Sequence, residues 1–310
     1  MTTVVAIGGN SLIRSKERIS FADQLATLKA SCEPLVALVR QGERVVITHG
    51  NGPQVGFILL RSYLARNRLP EIPLDAANAQ TQAEIGYMIQ QVLGNLFLQA
   101  GISQPVVTVV TRVLVDKNDP AFSQPSKPVG PFYTRAEAVK LEQELGWTVK
   151  EDSGRGYRRM VASPLPQAVI ELEEVRSLVN TGAVVIACGG GGIPVIRENG
   201  ELKGVAAVID KDLASALLAN LLGAERMIIT TAVDRVYLNY GRQDARPLEQ
   251  ISAGELREYQ AQGHFPEGSM GPKIEAAIRF LAGGGREVLI TDPEHLLAAL
   301  EGRAGTRITE

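Results

Sequence analysis

Residues 213–222 read Leu-Ala-Ser-Ala-Leu-Leu-Ala-Asn-Leu-Leu, apolar on every face except at Ser215 and Asn220, and they stop at Gly223. A helix with no polar face belongs inside a protein, so the chain must fold in layers thick enough to bury it. Its start is the run Asp210-Lys211-Asp212, preceded by the apolar residues 205–209. Burying three charges costs several kcal/mol per ion unless they are paired or bind something. A helix cap accounts for Asp210, and the helix dipole favours Asp212, but the same dipole disfavours a cation at Lys211. The cluster therefore reads as functional charge at the start of an interior helix.

The rest of the chain supplies the layers. A β-branched run at 3–7 ends in Gly8-Gly9-Asn10-Ser11, and a helical pattern covers 21–40, with Pro34 as a kink or near a helix start. A strand at 44–48 runs into His49-Gly50-Asn51-Gly52-Pro53. Residues 75–99 form one long helix carrying the amides Asn78, Gln80, Gln82, Gln90 and Gln91, and 106–110 reads as a buried strand. Later, a helix at 171–180 precedes a strand at 183–187 that ends in Cys188-Gly189-Gly190-Gly191-Gly192, and residues 203–209 lead into the charge cluster. A strand at 226–231 is followed by Ala232-Val233-Asp234, a helix covers 253–262, a turn at 268–273 starts a helix to 282, and 287–291 is the last strand. Strands and helices in alternation predict an α/β fold with a mainly parallel sheet covered on both faces. Residues 116–164 break the rhythm: they hold Pro120, Pro125, Pro128 and Pro131, then arginines on either side of Gly156 and Tyr157. They read as an excursion, a small subdomain or lid, whose arginines either brace it or face water.

Composition narrows the function. A chain of 310 residues accommodates one large domain or two fused lobes. The net charge of −2 offers no basic field for nucleic acid. The N-terminus lacks the pattern of a signal peptide, and no apolar run approaches the ~20 residues of a membrane span. Cys32 and Cys188 have no CxxC spacing, and His49, His264 and His295 share no ligand spacing, so no metal site is predicted. A soluble, cytoplasmic protein without membrane or nucleic-acid partners is the expectation.

In an open parallel sheet, ligands bind beyond the carboxyl ends of the strands. Gly8–Asn10, Gly50–Gly52, Gly189–Gly192 and 231–234 all fall at such ends. There, glycines admit backbone N–H groups to an anion and helix N-termini add a positive field. Neither GxGxxG nor GxxxxGK[ST] occurs, since Pro194 and Val195 interrupt the first and the second is absent. Lys127 in the excursion, Lys211 in the charge cluster and Lys273 on the Met-Gly-Pro-Lys turn are placed to act as point charges on phosphate oxygens. Asp212 is suited to hold two of them apart without acting as a base, and His49 reads as a hydrogen-bonding residue at a strand end.

Together AIGGNSL, HGNGPQVG, DPAFSQPSKPVGPFY, ACGGGGIPVI, AVIDKDLASALLA and GSMGPKIEAAI, in this order across nearly the whole chain, resemble the carbamate kinase family of the amino acid kinase superfamily. Sister families place a lysine before the first Gly-Gly, where this chain has Ala6 and Ile7; carbamate kinases bring one from the excursion, matching Lys127. The main departure is Ala206, where the pattern has Glu. The resemblance implies a three-layer αβα sandwich with a small protruding subdomain at 116–164, and a single amino acid kinase domain over 1–310. Within it, lobe 1–180 would bind substrate and lobe 181–310 would bind nucleotide. It implies a homodimer and Mg²⁺-dependent, reversible phosphoryl transfer between ATP and carbamate, giving ADP and carbamoyl phosphate. That chemistry belongs to arginine metabolism, with ATP synthesis as one direction of use. By resemblance, Lys127 and Lys211 would stabilise the transferring group, oriented by Asp212, and Lys273 would hold the nucleotide phosphates. Gly8, Gly9 and Asn10 would cradle the transferring group. Gly50, Asn51 and Gly52 would hold carbamate, together with Gly9, Asn10 and Lys127. Gly189, Gly190, Asp210, Ala232, Val233, Asp234 and Met270 would border the nucleotide. Two other readings stay open from the residues: a sister kinase acting on another carboxylate or phosphate, and a nucleotide-binding regulator without turnover. The full charge set argues against the second.

Overall fold

The computed structural model describes residues 1–9, 12–13, 19–152, 154, 156–266 and 268–310, the side chain of Pro131 excepted. Its centre is an eight-stranded sheet in the order Gln250–Ser252, Thr306–Thr309, Glu287–Thr291, Arg226–Thr230, Thr2–Ile7, Arg44–His49, Val184–Ile186, Val106–Thr108. Every neighbouring pair is parallel except 287–291 with 306–309. The helices are α1 (Phe21–Arg40), α2 (Gly52–Ala65), α3 (Leu74–Ala100), α4 (Arg135–Leu145), α5 (Leu172–Asn180), α6 (Lys211–Leu222), α7 (Ala253–Ala261), α8 (Met270–Ala282) and α9 (Leu296–Leu300).

The sheet's twofold side-chain period splits the apolar residues between two cores. Val5, Ile7, Val45, Ile47, Ile228 and Leu289 pack against α1, α3 and α9 on one face. Their neighbours Val4, Ala6, Val46, Met227, Ile229, Val288 and Ile290 pack against α5, α6, α7 and α8 on the other. The result is the three-layer αβα sandwich. The α6 segment that lacks a polar face lies under this second core, with Ala214, Ala216, Leu218 and Ala219 buried. Pro34 sits inside α1 without ending it. It removes one backbone bond but is itself buried in packing that keeps the helix whole.

Three details differ from the expectations. The strand expected at 106–110 is only Val106–Thr108, an edge strand of intermediate burial, and Val110 is exposed. Its outer edge is met by α3: Gln90 Nε2 donates to Val106 O at 3.0 Å and accepts Thr108 Oγ1 on its own Oε1 at 2.7 Å. The strand at 287–291 is not the last, because Thr306–Thr309 returns antiparallel beside it. Residues 203–209 do not simply lead into α6. Ile193–Glu198 and Glu201–Gly204 form a hairpin whose turn, Asn199-Gly200, has both φ angles positive, 52° and 82°, as a two-residue hairpin turn demands.

The excursion forms a sheet of its own, Lys127–Tyr133 beside Tyr157–Val161 beside Thr148–Glu151, with α4 against it. Val129 and Val161 seat it on the body through Val55, Leu74 and Val208. The described arginines brace it. Arg158 donates to Gly130 O and pairs with Asp152, both at 3.2 Å, and the Arg159 guanidinium lies 4.4 Å from the Trp147 ring centroid. Arg155 lies outside the described residues.

Candidate active site

Strands 287–291, 226–230, 2–7, 44–49 and 184–186 are consecutive, parallel neighbours, so the turns that follow them share one edge of the sheet. The turns touch. Gly50 N–H donates to Ile7 O at 2.9 Å, and Gly8 N–H to Thr230 Oγ1 at 3.2 Å. A Cβ on Gly50 would stand 2.8 Å from Gly9 N, so the approach of these two turns requires glycine there.

At the same edge α6 begins. Asp210 caps it, taking the Asp212 N–H on Oδ1 at 2.9 Å and the Lys127 ammonium on Oδ2 at 2.5 Å. Asp212 is 3% exposed. Lys273 Nζ, from the first turns of α8, donates to its Oδ2 at 3.0 Å. Lys211 Nζ lies 2.9 Å from its Oδ1, an ion pair without the direction of a hydrogen bond. Lys211 also donates to Ala6 O at 3.3 Å, at the end of the central strand. Three ammonium groups from distant parts of the chain therefore converge around two carboxylates, leaving one positive charge in excess. The pairing corrects one expectation: Asp212 aligns Lys211 with Lys273, while Lys127 is held by Asp210.

Burial is the largest influence on Asp212 and opposes its ionisation, yet the ammonium groups of Lys211 and Lys273 together hold it below the usual carboxylate range. Burial pushes the Lys211 ammonium down; Asp212 opposes this and Lys273 adds to it. The buried Asp212 carboxylate is thus kept ionised by the two ammonium groups packed against it.

The turn 188–192 is built differently from the expectation of an open phosphate cradle. Gly189 and Gly190 are buried, and their missing side chains make room for protein. A Cβ on Gly189 would overlap the His49 ring, and one on Gly190, whose φ is +66°, would overlap the Asn51 amide. Buried amides on α3 hold this turn. Gln82 Nε2 donates to Gly189 O at 2.9 Å and Thr111 O at 3.0 Å, while its Oε1 accepts Thr111 N–H at 2.7 Å. Asn78 Nδ2 donates to Gly192 O at 2.6 Å. The sequence reading noted these amides but gave them no part in the site. The available signal was Asn78, Thr81 and Gln82 at spacings that share one helix face.

His49 is fully buried, and its Nδ1 donates to Gly50 O at 3.1 Å. Burial pulls its pKa down to about 4; the Gly50 bond opposes this and Lys211 adds to it. A neutral imidazole at that position shapes the turn and is no proton donor at neutral pH. Gly52 is exposed at the first turn of α2, whose leading N–H groups have no partner within the helix. Ala232 and Val233 lie on the turn after strand 226–230, and Asp234 there accepts from Tyr237 OH at 2.9 Å. Met270 opens α8 and packs on the core. Asn10 lies outside the described residues. Cavities of about 250 and 340 Å³ lie between the small sheet and the body, and no residue of the charge cluster lines either. Among the described residues, this edge pairs no nucleophile with a base. What it offers is cations and N–H donors fixed around one place, the equipment for holding mutually repelling anions.

Known proteins share this build. The model of the amino acid kinase family matches residues 1–292. The carbamate kinase of Pyrococcus horikoshii is 47% identical over 308 residues, covering 99% of this chain and 98% of its own. That of Clostridium perfringens is 45% identical, with all of both chains covered. The structure of Giardia lamblia carbamate kinase bound to AMP-PNP superposes with a TM-score of 0.93 at 41% identity, covering 99% of this chain and 98% of that one. An N-acetylglutamate synthase from Neisseria gonorrhoeae shares the fold alone, at 17% identity and a TM-score of 0.59. The chain belongs to the amino acid kinase family, among its carbamate kinases.

Proposed function

We propose that this protein transfers a phosphoryl group reversibly between ATP and carbamate, giving ADP and carbamoyl phosphate. The observation that carries the reading is the convergence of Lys127, Lys211 and Lys273 on Asp210 and Asp212 at the strand-end edge. Carbamate is already an anion, so its oxygen attacks without a general base. The barrier lies in bringing it against a polyphosphate. Preorganised cations and N–H donors lower such a barrier by several kcal/mol. In this reading Lys211 and Lys127 neutralise charge on the transferring group from its two sides, and Lys273 holds the nucleotide phosphates. Asp212 fixes the spacing of Lys211 and Lys273. Carbamate lies on Gly50, Asn51 and Gly52 at the start of α2, and Gly8, Gly9 and Asn10 cradle the transferring group. Asp210, Met270 and the turn 232–234 border the nucleotide. Lobe 1–180 thus carries the acceptor and lobe 181–310 the nucleotide.

Among the described residues, no group of three or more His, Cys, Asp or Glu side chains is placed to hold a metal, and ammonium groups dominate the site. We take magnesium to enter as the ion carried by the nucleotide substrate. We also propose a homodimer. Phe21 and Tyr87 stack at 6.2 Å between centroids, and Tyr87 and Leu98, three helical turns apart on α3, are 55% and 78% exposed, an apolar face suited to a second copy. Sedimentation of the purified protein at the mass of two chains is the expected result. No described helix is long and apolar enough to cross a membrane; we place the enzyme in the cytoplasm.

The deciding assay is ATP formation from ADP and carbamoyl phosphate with magnesium. Turnover of acetylglutamate or UMP but not carbamate would move the chain to a sister activity. Binding of ADP without any turnover would leave only a regulator.

A further inference from the structure

The two cavities between the small sheet and the body share a wall: Trp147, Arg159 and Ala206 line both. The larger, about 340 Å³, falls within the range of small-ligand sites, which begins at about 300 Å³. Leu59, Tyr63 and Ile72 of the body complete it against Trp147 with largely apolar surface. Arg159 is fixed in place by its strand, opposite Val129 on one side and Val149 on the other. Its guanidinium lies over the Trp147 ring at 4.4 Å, a contact that engages the charge and leaves the N–H donors unused. Among the described residues no hydrogen bond or close ion pair takes those donors. The neighbouring Arg158, by contrast, spends its own on Gly130 O and Asp152. Ala206, the main departure from the family pattern, offers the guanidinium no carboxylate.

A half-buried guanidinium without an acceptor is costly, and its planar fork matches a carboxylate. Burial pulls the Arg159 pKa down, while Tyr133 and then Glu71 oppose this. Glu71 is exposed and lines the larger cavity with Arg159, yet the two form no ion pair. A positive and a negative group set apart in one space with apolar walls are the complement of a zwitterion. We propose that the cleft between the small sheet and the body binds a free α-amino acid with an apolar side chain. Its carboxylate lies on the Arg159 guanidinium, its ammonium group towards Glu71, and its side chain against Trp147, Leu59 and Tyr63. No residue of the charge cluster lines either cavity, so this site stands apart from the one assigned to phosphoryl transfer.

Calorimetric titration of the purified protein with L-phenylalanine and with L-leucine tests the site. Each is expected to bind once per chain, undisturbed by saturating ADP. Hydrocinnamate lacks the ammonium group of phenylalanine and phenethylamine lacks its carboxylate; both should bind at least about tenfold more weakly. Ala206→Glu leaves Arg159 and Trp147 in place but supplies a competing carboxylate. It should weaken phenylalanine binding by about tenfold or more, with ATP formation as in wild type. Arg159→Gln should weaken binding to a similar degree. Failure of the wild-type protein to bind either amino acid overturns the proposal. So does binding that both variants leave intact, or that ADP or carbamoyl phosphate displaces, because the ligand then sits elsewhere. Equal binding of hydrocinnamate overturns the assignment to an amino acid, since Glu71 then has no part. A wild-type protein that makes no ATP from carbamoyl phosphate overturns the kinase reading alone, a distinct result.

Discussion

The two halves of the charge cluster are held in different ways. Lys211, Lys273 and Asp212 stand on helices packed into the main core, with side chains 11%, 16% and 4% exposed. Lys127 stands on the first strand of a separate three-stranded sheet, is 36% exposed, and reaches the body through the single carboxylate of Asp210. One half is part of what makes the protein fold; the other is delivered to it. A cation embedded in the core is always in place but cannot move with a substrate. A cation on a separately built sheet can arrive with it, at the cost of a weaker hold. Mutations should therefore damage stability and catalysis together in the first half, and catalysis alone in the second.

The largest expected effect is at Asp212. Asp212→Ala leaves two ammonium groups facing each other in a buried place, which should cost about 3–5 kcal/mol of stability and abolish most turnover. Chemical denaturation and the ATP-forming assay check the two parts, and unchanged stability would break the distinction. Lys211→Ala should lower turnover by about 10²-fold or more while ADP still binds, read by calorimetry. Lys127→Ala should cost a similar ~10²-fold in turnover but under about 1 kcal/mol in stability. A larger loss of stability would mean that the small sheet depends on that ion pair to dock.

Acid should separate the halves too, through His49 on the embedded side. Its folded pKa, pulled down by burial to about 4, lies below the ordinary value of 6.5. The unfolded chain therefore binds its proton first, so the contribution is intact above about pH 6.5 and declines as the pH falls towards 4. Between pH 7.5 and 5.5 it should amount to roughly 1 kcal/mol, absent in His49→Gln, in denaturation curves at the two pH values. The smallest effect is at Ala206, which is exposed and lines both cavities with Arg159. Among the described residues Arg159 has the Trp147 ring and the charge of Glu71 nearby, but no close ion pair. Ala206→Glu offers one, and should change stability by no more than about 0.5 kcal/mol with turnover unaltered.

Much of this was legible in the sequence, and the reasons are specific. The α1 boundaries follow from periodicity, and the structure adds the Ser20 capping box, whose Oγ accepts the Asp23 N–H at 3.2 Å. The charge cluster declared itself because an interior helix cannot start with three idle ions. Which lysine pairs with which aspartate was not legible, since that depends on where α8 and the small sheet come to rest. What fills the side-chain space of the turn 188–192 was not legible for a related reason. A glycine run says that side chains are excluded, but not whether a ligand or a neighbouring His49 and Asn51 fills the space. The amides of α3 looked like an ordinary polar helix because their partners, at 111, 189 and 192, are remote in sequence. The Thr306–Thr309 strand is only four residues long, too short for its alternation to stand out.

The division of the sheet into two cores has a practical consequence at the cysteines. Cys32 is sealed in the layer of α1 and α3, and Cys188 in the layer of α6 and α8. Burial raises both thiols to about 12, so neither reacts with an alkylating reagent while its layer is closed. The molecule thus carries a chemical clock on each side of the sheet. Mass spectrometry after timed exposure to iodoacetamide would tell which side opens first, and whether bound nucleotide slows one clock and leaves the other running.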